Sequence, residues 1–170
     1  FEHAEVSGGI TGWHLDLEAS TGDIDFRVDG MVKRTGSGSA AIASSAPCTA
    51  VVVSSPVQLR VGPLYRLSGW IRSPGGKSDP TSRYPTAVPA CLSMESLPFT
   101  NHSPAVGGEA DWTQVEIPFI ATRSRDRVRL HLGYNGKASG QVWFDDIKLE
   151  KVEDISEFIP METVRWFGDG

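Results

Sequence analysis

Hydrophobic and polar residues alternate along several short segments of the chain, and a period of two is the pattern of β-strands. The clearest segment covers residues 64–72. One of its faces is apolar and carries Tyr65, Leu67, Gly69 and Ile71. The other face is polar apart from one tryptophan and carries Arg66, Ser68, Trp70 and Arg72. This segment predicts a strand with one face in a core and the other outside it.

Other segments follow the same pattern. Residues 112–120 place Val115, Ile117 and Phe119 inward. Residues 128–134 place Val128, Leu130, Leu132 and Tyr134 inward, whereas Arg127, Arg129 and His131 face outward. Residues 87–95 predict another strand, in which Pro89 indicates an edge position or a bulge. Residues 73–85 and 97–111 are rich in turn residues and predict loops. Short strands joined by Gly, Pro and Ser turns predict an all-β, two-sheet antiparallel β-sandwich.

The apolar strand pattern of residues 140–150 contains two adjacent carboxylates, Asp145 and Asp146. A carboxylate placed against a core must be paired, hydrogen-bonded or bound to a cation, because burying an unpaired charge is costly. The pattern therefore leaves two alternatives open. Asp145 binds a metal ion, or it caps a turn or pairs with an arginine.

Length and charge narrow the function classes. The chain has 170 residues and a formal net charge of -5, which fits one domain and argues against nucleic-acid binding. No stretch approaches the ~20 apolar residues that span a bilayer. Residues 1–152 predict the sandwich, and residues 153–170 lack its period and predict a tail or a linker toward another domain. Two cysteines, Cys48 and Cys91, form either a disulfide or two buried free thiols.

Short motifs occur in a characteristic order along the chain. The first are Phe1-Glu2, Gly12-Trp13 and the Gly36-Ser37-Gly38-Ser39-Ala40 turn before a strand. The later ones are the strand of residues 65–72, Asp111-Trp112-Thr113-Gln114-Val115, and Val142-Trp143-Phe144-Asp145-Asp146-Ile147. In the order and spacing of these motifs, the chain resembles the β-jelly-roll carbohydrate-binding modules of the xylan- and β-glucan-binding group (families 4, 9, 16 and 22). The resemblance covers residues 1–152.

The resemblance implies a jelly roll of the galactose-binding-domain-like type with a structural calcium ion. Carried over to this sequence, the calcium ligands are Glu2, the loop around Ser37, and Asp145. The resemblance also implies a secreted, non-catalytic module that targets an attached polysaccharide-degrading domain to its glycan. Calcium prefers carboxylate and carbonyl oxygens, which agrees with the carboxylates of the last strand.

Candidate glycan-binding residues are aromatic or planar polar side chains outside the predicted core. If the strands of residues 64–72 and 127–131 share a sheet, they form one outward arginine-rich face that suits an acidic or mixed glycan. The candidates on that face are Arg66, Trp70, Arg72, Arg129 and His131. Tyr84 and Phe99 are candidates at loop tips. The competing interpretations are a core or rim role for Trp70 and a solvated, ion-paired face for the arginines.

Three functions compete at this stage. The first is a glycan-binding module that takes a polysaccharide or oligosaccharide as partner, with neither nucleic acid nor membrane. The second is a glycosidase, which needs two carboxylates across a cleft; Glu95 and Glu116 lie on predicted strands, but no motif supports them. The third is a structural domain that packs on a catalytic partner and binds no sugar.

Overall fold

The computed structural model describes residues 10–82 and 88–153. These residues form strands joined by turns and loops. The strands are β1 (Trp13–Leu15), β2 (Asp25–Asp29), β3 (Ser39–Cys48), β4 (Ala50–Ser54), β5 (Val57–Gln58), β6 (Leu64–Ser78), β7 (Val88–Met94), β8 (Gly108–Ile120), β9 (Arg125–Asp126), β10 (Val128–Tyr134) and β11 (Ala138–Lys151).

The strands form two main antiparallel sheets. One sheet has four strands in the order β1-β4-β10-β7, and the other has five in the order β2-β3-β11-β6-β8. Strands β5 and β9 form a separate two-stranded ribbon. The prediction of an all-β, two-sheet antiparallel sandwich is therefore confirmed.

The core lies between the two sheets and includes apolar residues that the alternation placed inward on β6, β8 and β10, together with residues of β3, β4, β7 and β11. The five-stranded sheet contributes Ile42, Leu67, Ile71, Val115, Ile117, Val142 and Phe144. The four-stranded sheet contributes Val52, Leu92, Leu130 and Leu132. Each of these side chains is at most 6% exposed, and at about 25 cal/mol per Å² of buried apolar surface such a core is the main stabilising contribution to the fold.

Two predicted loops are shorter than expected because strands extend into them. Strand β6 continues through the Pro and Gly positions as far as Ser78, where Gly75 adopts a left-handed φ of 87°. Strand β8 begins at Gly108, also in a left-handed conformation. The β6–β8 pairing accommodates these residues with register shifts on either side of Pro74, which a prediction based on turn residues alone misses.

Both cysteines of the chain are buried and free, so the disulfide alternative is wrong. Cys91 lies on β7 opposite His131 of β10, whereas Cys48 ends β3. Burial raises the pKa of both thiols. No helix in the described part of the chain is long and apolar enough to cross a membrane.

Candidate functional site

The two strands expected to share an outward face lie in different sheets. Strand β6 belongs to the five-stranded sheet and β10 to the four-stranded sheet. The structure therefore corrects the single arginine-rich face. Arg66, Trp70 and Arg72 lie on the outer side of one sheet, and Arg129 and His131 lie on the outer side of the other. Local alternation cannot show which strands pair, and this pairing separates the two sets.

On the five-stranded sheet, the indole ring of Trp70 is covered by a cation. The guanidinium carbon of Arg34 lies 3.8 Å from the ring centroid, which is a cation–π contact. The Nη1 atom of Arg34 also donates to Oδ2 of Asp146 at 2.6 Å. One face of Trp70 is therefore already occupied by the protein itself, and the role of Trp70 in glycan binding stays a prediction.

The neighbouring groups of this sheet are also paired. The indole N–H of Trp143 donates to Oδ2 of Asp29 at 2.9 Å. Arg72 lies 3.2 Å from a carboxylate oxygen of Asp111. Arg66 is 3.6 Å from Glu150. These pairs match the interpretation of a solvated, ion-paired face.

The carboxylate of Asp145 is 2% exposed and caps backbone amides. Its Oδ2 accepts from the N–H groups of Arg34 at 2.7 Å and Thr35 at 3.2 Å. Its Oδ1 accepts from the N–H of Asp146 at 2.8 Å. These bonds fasten the loop before β3 to strand β11, across more than one hundred residues of sequence.

The residues described around Asp145 do not by themselves fit a calcium site. The groups that face its oxygens are N–H donors, which favour an anion and disfavour a cation. Within residues 10–82 and 88–153, no group of three or more His, Cys, Asp and Glu side chains is placed to hold a metal ion. Ser37 lies in the exposed turn, and Glu2 lies outside the described residues. The calcium ion therefore stays a prediction that depends on Glu2.

The outer side of the four-stranded sheet carries a cavity of about 260 Å³ between β7, β10 and the loop after β7. We call it the β7–β10 cavity. Three of the predicted binding residues, Phe99, Arg129 and His131, line it. The remaining lining residues are Thr49, Val51, Ser93, Met94, Leu97, Gly133, Tyr134 and Asn135. Phe99 is 66% exposed, so an aromatic ring at this cavity is accessible to a ligand.

An ion pair supplies polar groups at the cavity. The Nη2 atom of Arg129 donates to Oε1 of Glu95 at 2.9 Å. The buried Nε atom of Arg129 has no hydrogen-bond partner among the described groups, so part of the donor capacity of this guanidinium is unused. A carboxylate beside a guanidinium offers an acceptor and donors in one plane, which suits neighbouring hydroxyl groups.

His131 forms the floor of the cavity. It is 3% exposed, and its Nε2 is 2.8 Å from the hydroxyl oxygen of Ser93. Burial, together with the positive charge of Arg129 and the nearby His102, lowers the pKa of His131 from 6.5 to about 3. The imidazole is therefore neutral at pH 7 and shapes the cavity without adding charge.

Tyr134 lines this cavity, although the alternation pattern predicted that it faces the core. Gly133 adopts a φ of 81°, which breaks the alternation and turns the next residue outward. The ring of Tyr134 then lies between those of His102 and His131, with centroid distances of 4.9 and 4.6 Å. A glycine at position 133 indicates in the sequence that the end of this strand is irregular.

The carboxylates considered for glycosidase chemistry are on different sheets. Glu95 follows β7 of the four-stranded sheet and pairs with Arg129. Glu116 lies on β8 of the five-stranded sheet, opposite Ser68. They do not face each other across a cleft, as that chemistry requires. The remaining candidate, Tyr84, lies outside the described residues.

Solved structures with the same fold include several carbohydrate-binding modules. TmCBM61, solved in complex with β-1,4-galactotriose, has a TM-score of 0.54, 16% identity, and coverage of 86% of this chain and 92% of that chain. The CBM22-1 xylan-binding domain of Paenibacillus barcinonensis Xyn10C has a TM-score of 0.52, 11% identity, and coverage of 90% and 91%. The enzymatically active domain of Bacteriophage CBA120 tailspike protein 4 has a TM-score of 0.57 and 11% identity, and this chain covers 20% of it.

The resemblance to β-sandwich carbohydrate-binding modules is therefore confirmed at the level of the fold. No protein-family model matches the chain. Among curated proteins, the tRNA(Glu)-specific nuclease WapA of Bacillus subtilis subsp. natto is 26% identical over 162 residues, which cover 90% of this chain and 7% of the relative. The tRNA nuclease WapA of Bacillus subtilis strain 168 is 23% identical over 161 residues, which also cover 90% of this chain and 7% of the relative. The chain thus spans about 7% of the length of these curated relatives.

Proposed function

We propose that this chain is a non-catalytic glycan-binding module whose sugar site is the β7–β10 cavity. The observation that carries the proposal is the position of Phe99. Its ring is 66% exposed at a cavity that Arg129 also lines, and Arg129 is paired with the neighbouring carboxylate of Glu95. Sugar rings present apolar C–H faces and hydroxyl edges, so they fit an exposed aromatic ring beside paired donor and acceptor groups.

The size and location of the cavity support this proposal. At about 260 Å³, it is slightly smaller than the ~300–1,000 Å³ typical of ligand sites, which suits one or two sugar rings. The same β-sandwich fold occurs in TmCBM61 solved with β-1,4-galactotriose and in a xylan-binding domain. Those ligands give the first oligosaccharides to test.

The wider role follows from the resemblance and is also proposed. Glycan binding would keep an attached catalytic domain near its polysaccharide and raise its effective concentration there. The expected setting is secreted or extracellular. The structural calcium ion belongs to this proposal as an expectation from the resemblance.

The test is calorimetric titration of the protein with β-1,4-galactotriose and with xylo-oligosaccharides. Phe99→Ala should weaken binding at least tenfold, because it removes the exposed ring and leaves the core intact. Trp70→Ala tests the competing aromatic site that the sequence predicts on the outer side of the other sheet, and it should leave affinity unchanged if the β7–β10 cavity is the sugar site.

An alternative is a structural accessory domain that packs on a catalytic partner and binds no sugar. The observation in its favour is the covered ring of Trp70, with Arg34 at 3.8 Å, because it removes one aromatic platform from the surface. Absence of binding to any neutral or uronic-acid polymer would favour this alternative.

A further inference from the structure

The arginines of the described chain fall into two groups. The first group lies within 4.0 Å of a carboxylate. It contains the arginines on the outer sides of the two main sheets and the arginine that covers Trp70. These paired residues are Arg27, Arg34, Arg66, Arg72 and Arg129. Arg60, Arg123, Arg125 and Arg127 form no ion pair or side-chain hydrogen bond with any residue that the structure describes. We call this second group the arginine patch.

The fold brings the arginine patch together at the β5–β9 ribbon. Gln58 pairs with Arg125 in that ribbon. The N–H of Leu59 donates to the carbonyl of Ser124 at 2.9 Å, and the N–H of Gly62 donates to the carbonyl of Ala121 at 2.9 Å. These two bonds bracket Arg60 on one segment and Arg123 on the other, so the two residues lie on facing segments.

The patch is accessible to a large ligand. Arg60, Arg123 and Arg125 are exposed, and Arg127 is half-buried. The nearest acid in sequence, Asp126, is 4% exposed, and its carboxylate accepts from the N–H and the hydroxyl of Ser96. That carboxylate is therefore turned into the fold. Glu153 lines a depression together with Arg60, but its carboxylate is already paired with the ammonium group of Lys151 at 2.9 Å.

Clustered positive charges without counter-charges repel one another. This chain has a net charge of -5, so it has enough carboxylates to pair with these arginines. An uncompensated cationic cluster on an acidic protein indicates an anionic partner. Arg125 lies on β9, Arg123 lies in the bend before β9, and Arg127 lies between β9 and β10, so an arginine stands at every second residue of this segment. A polymer with repeated negative charges fits such an arrangement better than a single anion does.

The patch adjoins the β7–β10 cavity. The carbonyl of Arg127 accepts from the N–H of Glu95 at 2.9 Å, and the carboxylate of Glu95 holds Arg129 at the cavity. A chain seated in the cavity can therefore continue onto the patch. The overall negative charge opposes a partner as densely charged as nucleic acid, whereas a polysaccharide carries about one carboxylate per uronic-acid unit.

We propose that the arginine patch binds the carboxylates of an anionic polysaccharide that extends from the β7–β10 cavity. This inference rests on the proposed glycan-binding function and assigns it a substrate class. Guanidinium groups bind carboxylates through paired hydrogen bonds. Each paired arginine of the two sheets already has a carboxylate partner within the protein, whereas the arginines of the patch have none among the described residues.

The test compares polygalacturonic acid, neutral β-1,4-galactan and single-stranded poly(dT) by affinity electrophoresis. The patch variant is Arg123→Gln/Arg125→Gln, and its control is Arg27→Gln/Lys148→Gln, which also removes two positive charges, but from ion-paired positions. Binding to polygalacturonic acid should weaken roughly five- to tenfold in the patch variant and remain within twofold of wild type in the control. Added salt should weaken wild-type binding more than binding of the patch variant.

Each other outcome overturns a defined part of the proposal. Retention by neutral galactan alone overturns the patch inference and leaves the glycan-binding function intact. Equal retention by poly(dT) and polygalacturonic acid overturns the polysaccharide assignment, since charge alone would then explain binding. Equal losses in the patch and control variants overturn the assignment to these arginines, and no retention by any polymer overturns both proposals.

Discussion

Asp145 is expected to stabilise the fold as a cap for backbone amides, and replacing it with alanine tests this directly. The change removes the acceptor of three N–H groups, those of Arg34, Thr35 and Asp146. Each net hydrogen bond to a buried group is worth about 1 kcal/mol, and up to 3 kcal/mol for a charged acceptor. Because water can reach the exposed loop that carries Arg34 and Thr35, the lower value applies, and the expected loss is ~3 kcal/mol.

The assay is urea unfolding at pH 7 in the presence of EDTA, checked by thermal melting. A loss of ~3 kcal/mol corresponds to a Tm lower by roughly 6–12 °C for a chain of this size. The control is Asp146→Asn, which keeps a residue type that tolerates the left-handed φ of 49° at this position. The control removes the charge that pairs with Arg34 and keeps an amide oxygen that can accept from the hydroxyl of Thr35. Because these contacts are partly exposed, the change should cost less than about 1 kcal/mol.

A loss below about 1 kcal/mol for Asp145→Ala in EDTA would refute the cap, because the three amides would then not depend on the carboxylate. A loss that appears only when calcium is added would show that Asp145 acts as a metal ligand. Either result would change the interpretation of the carboxylates in strand β11.

Three further predictions concern metal, pH and backbone. If the calcium predicted from the resemblance is bound, EDTA should lower the Tm of the wild-type protein; an unchanged Tm would contradict it. Folding lowers the pKa of His131 from 6.5 to about 3. Below pH 6.5 the unfolded chain therefore binds a proton at this histidine, whereas the folded chain does not. As the pH decreases from 6.5, the unfolding free energy should decrease by at most ~1.4 kcal/mol per pH unit. His131→Gln should flatten this slope in urea titrations at pH 7 and pH 5, and parallel slopes would argue against a buried neutral imidazole. Gly133→Ala should destabilise the protein by more than about 2 kcal/mol, because φ is +81° and an added Cβ would lie 2.9 Å from the backbone N of Ala138. The measurement is urea unfolding. A loss of unfolding free energy under about 0.5 kcal/mol would show that the strand end adapts.

Local alternation predicted the central strands β6, β8 and β10 and most of the residues that they contribute to the core. Leu67 and Ile71 of β6, and Leu130 and Leu132 of β10, are fully buried, as the period of two predicted. Alternation predicts these positions because a half-buried strand has apolar side chains on one face and polar side chains on the other, and neighbouring residues in the sequence show that pattern.

The pairing of strands could not be predicted in the same way. Strand β6 pairs with β8 and β11, whereas β10 pairs with β4 and β7. These contacts join residues far apart in sequence, and no local pattern specifies them. The arginine-rich face was therefore divided between two sheets, although each outward position on it was predicted.

The candidate site was predicted in part. Phe99, Arg129 and His131 do meet at one cavity, and each was chosen for its residue type outside the core. Tyr134 was missed because the left-handed backbone at Gly133 reverses the alternation. The pairing of Arg129 with Glu95 was missed because it depends on the loop after β7.

The most direct test of the central claim is affinity electrophoresis of the wild type, Phe99→Ala and Trp70→Ala on a panel of neutral and uronic-acid polysaccharides. If the β7–β10 cavity is the sugar site, at least one polymer retards the wild type. Phe99→Ala should then bind that polymer at least tenfold more weakly, or ~1.4 kcal/mol, while Trp70→Ala binds like the wild type. Migration of the wild type unaffected by every polymer, or loss of binding in Trp70→Ala with Phe99→Ala unchanged, would contradict the assignment.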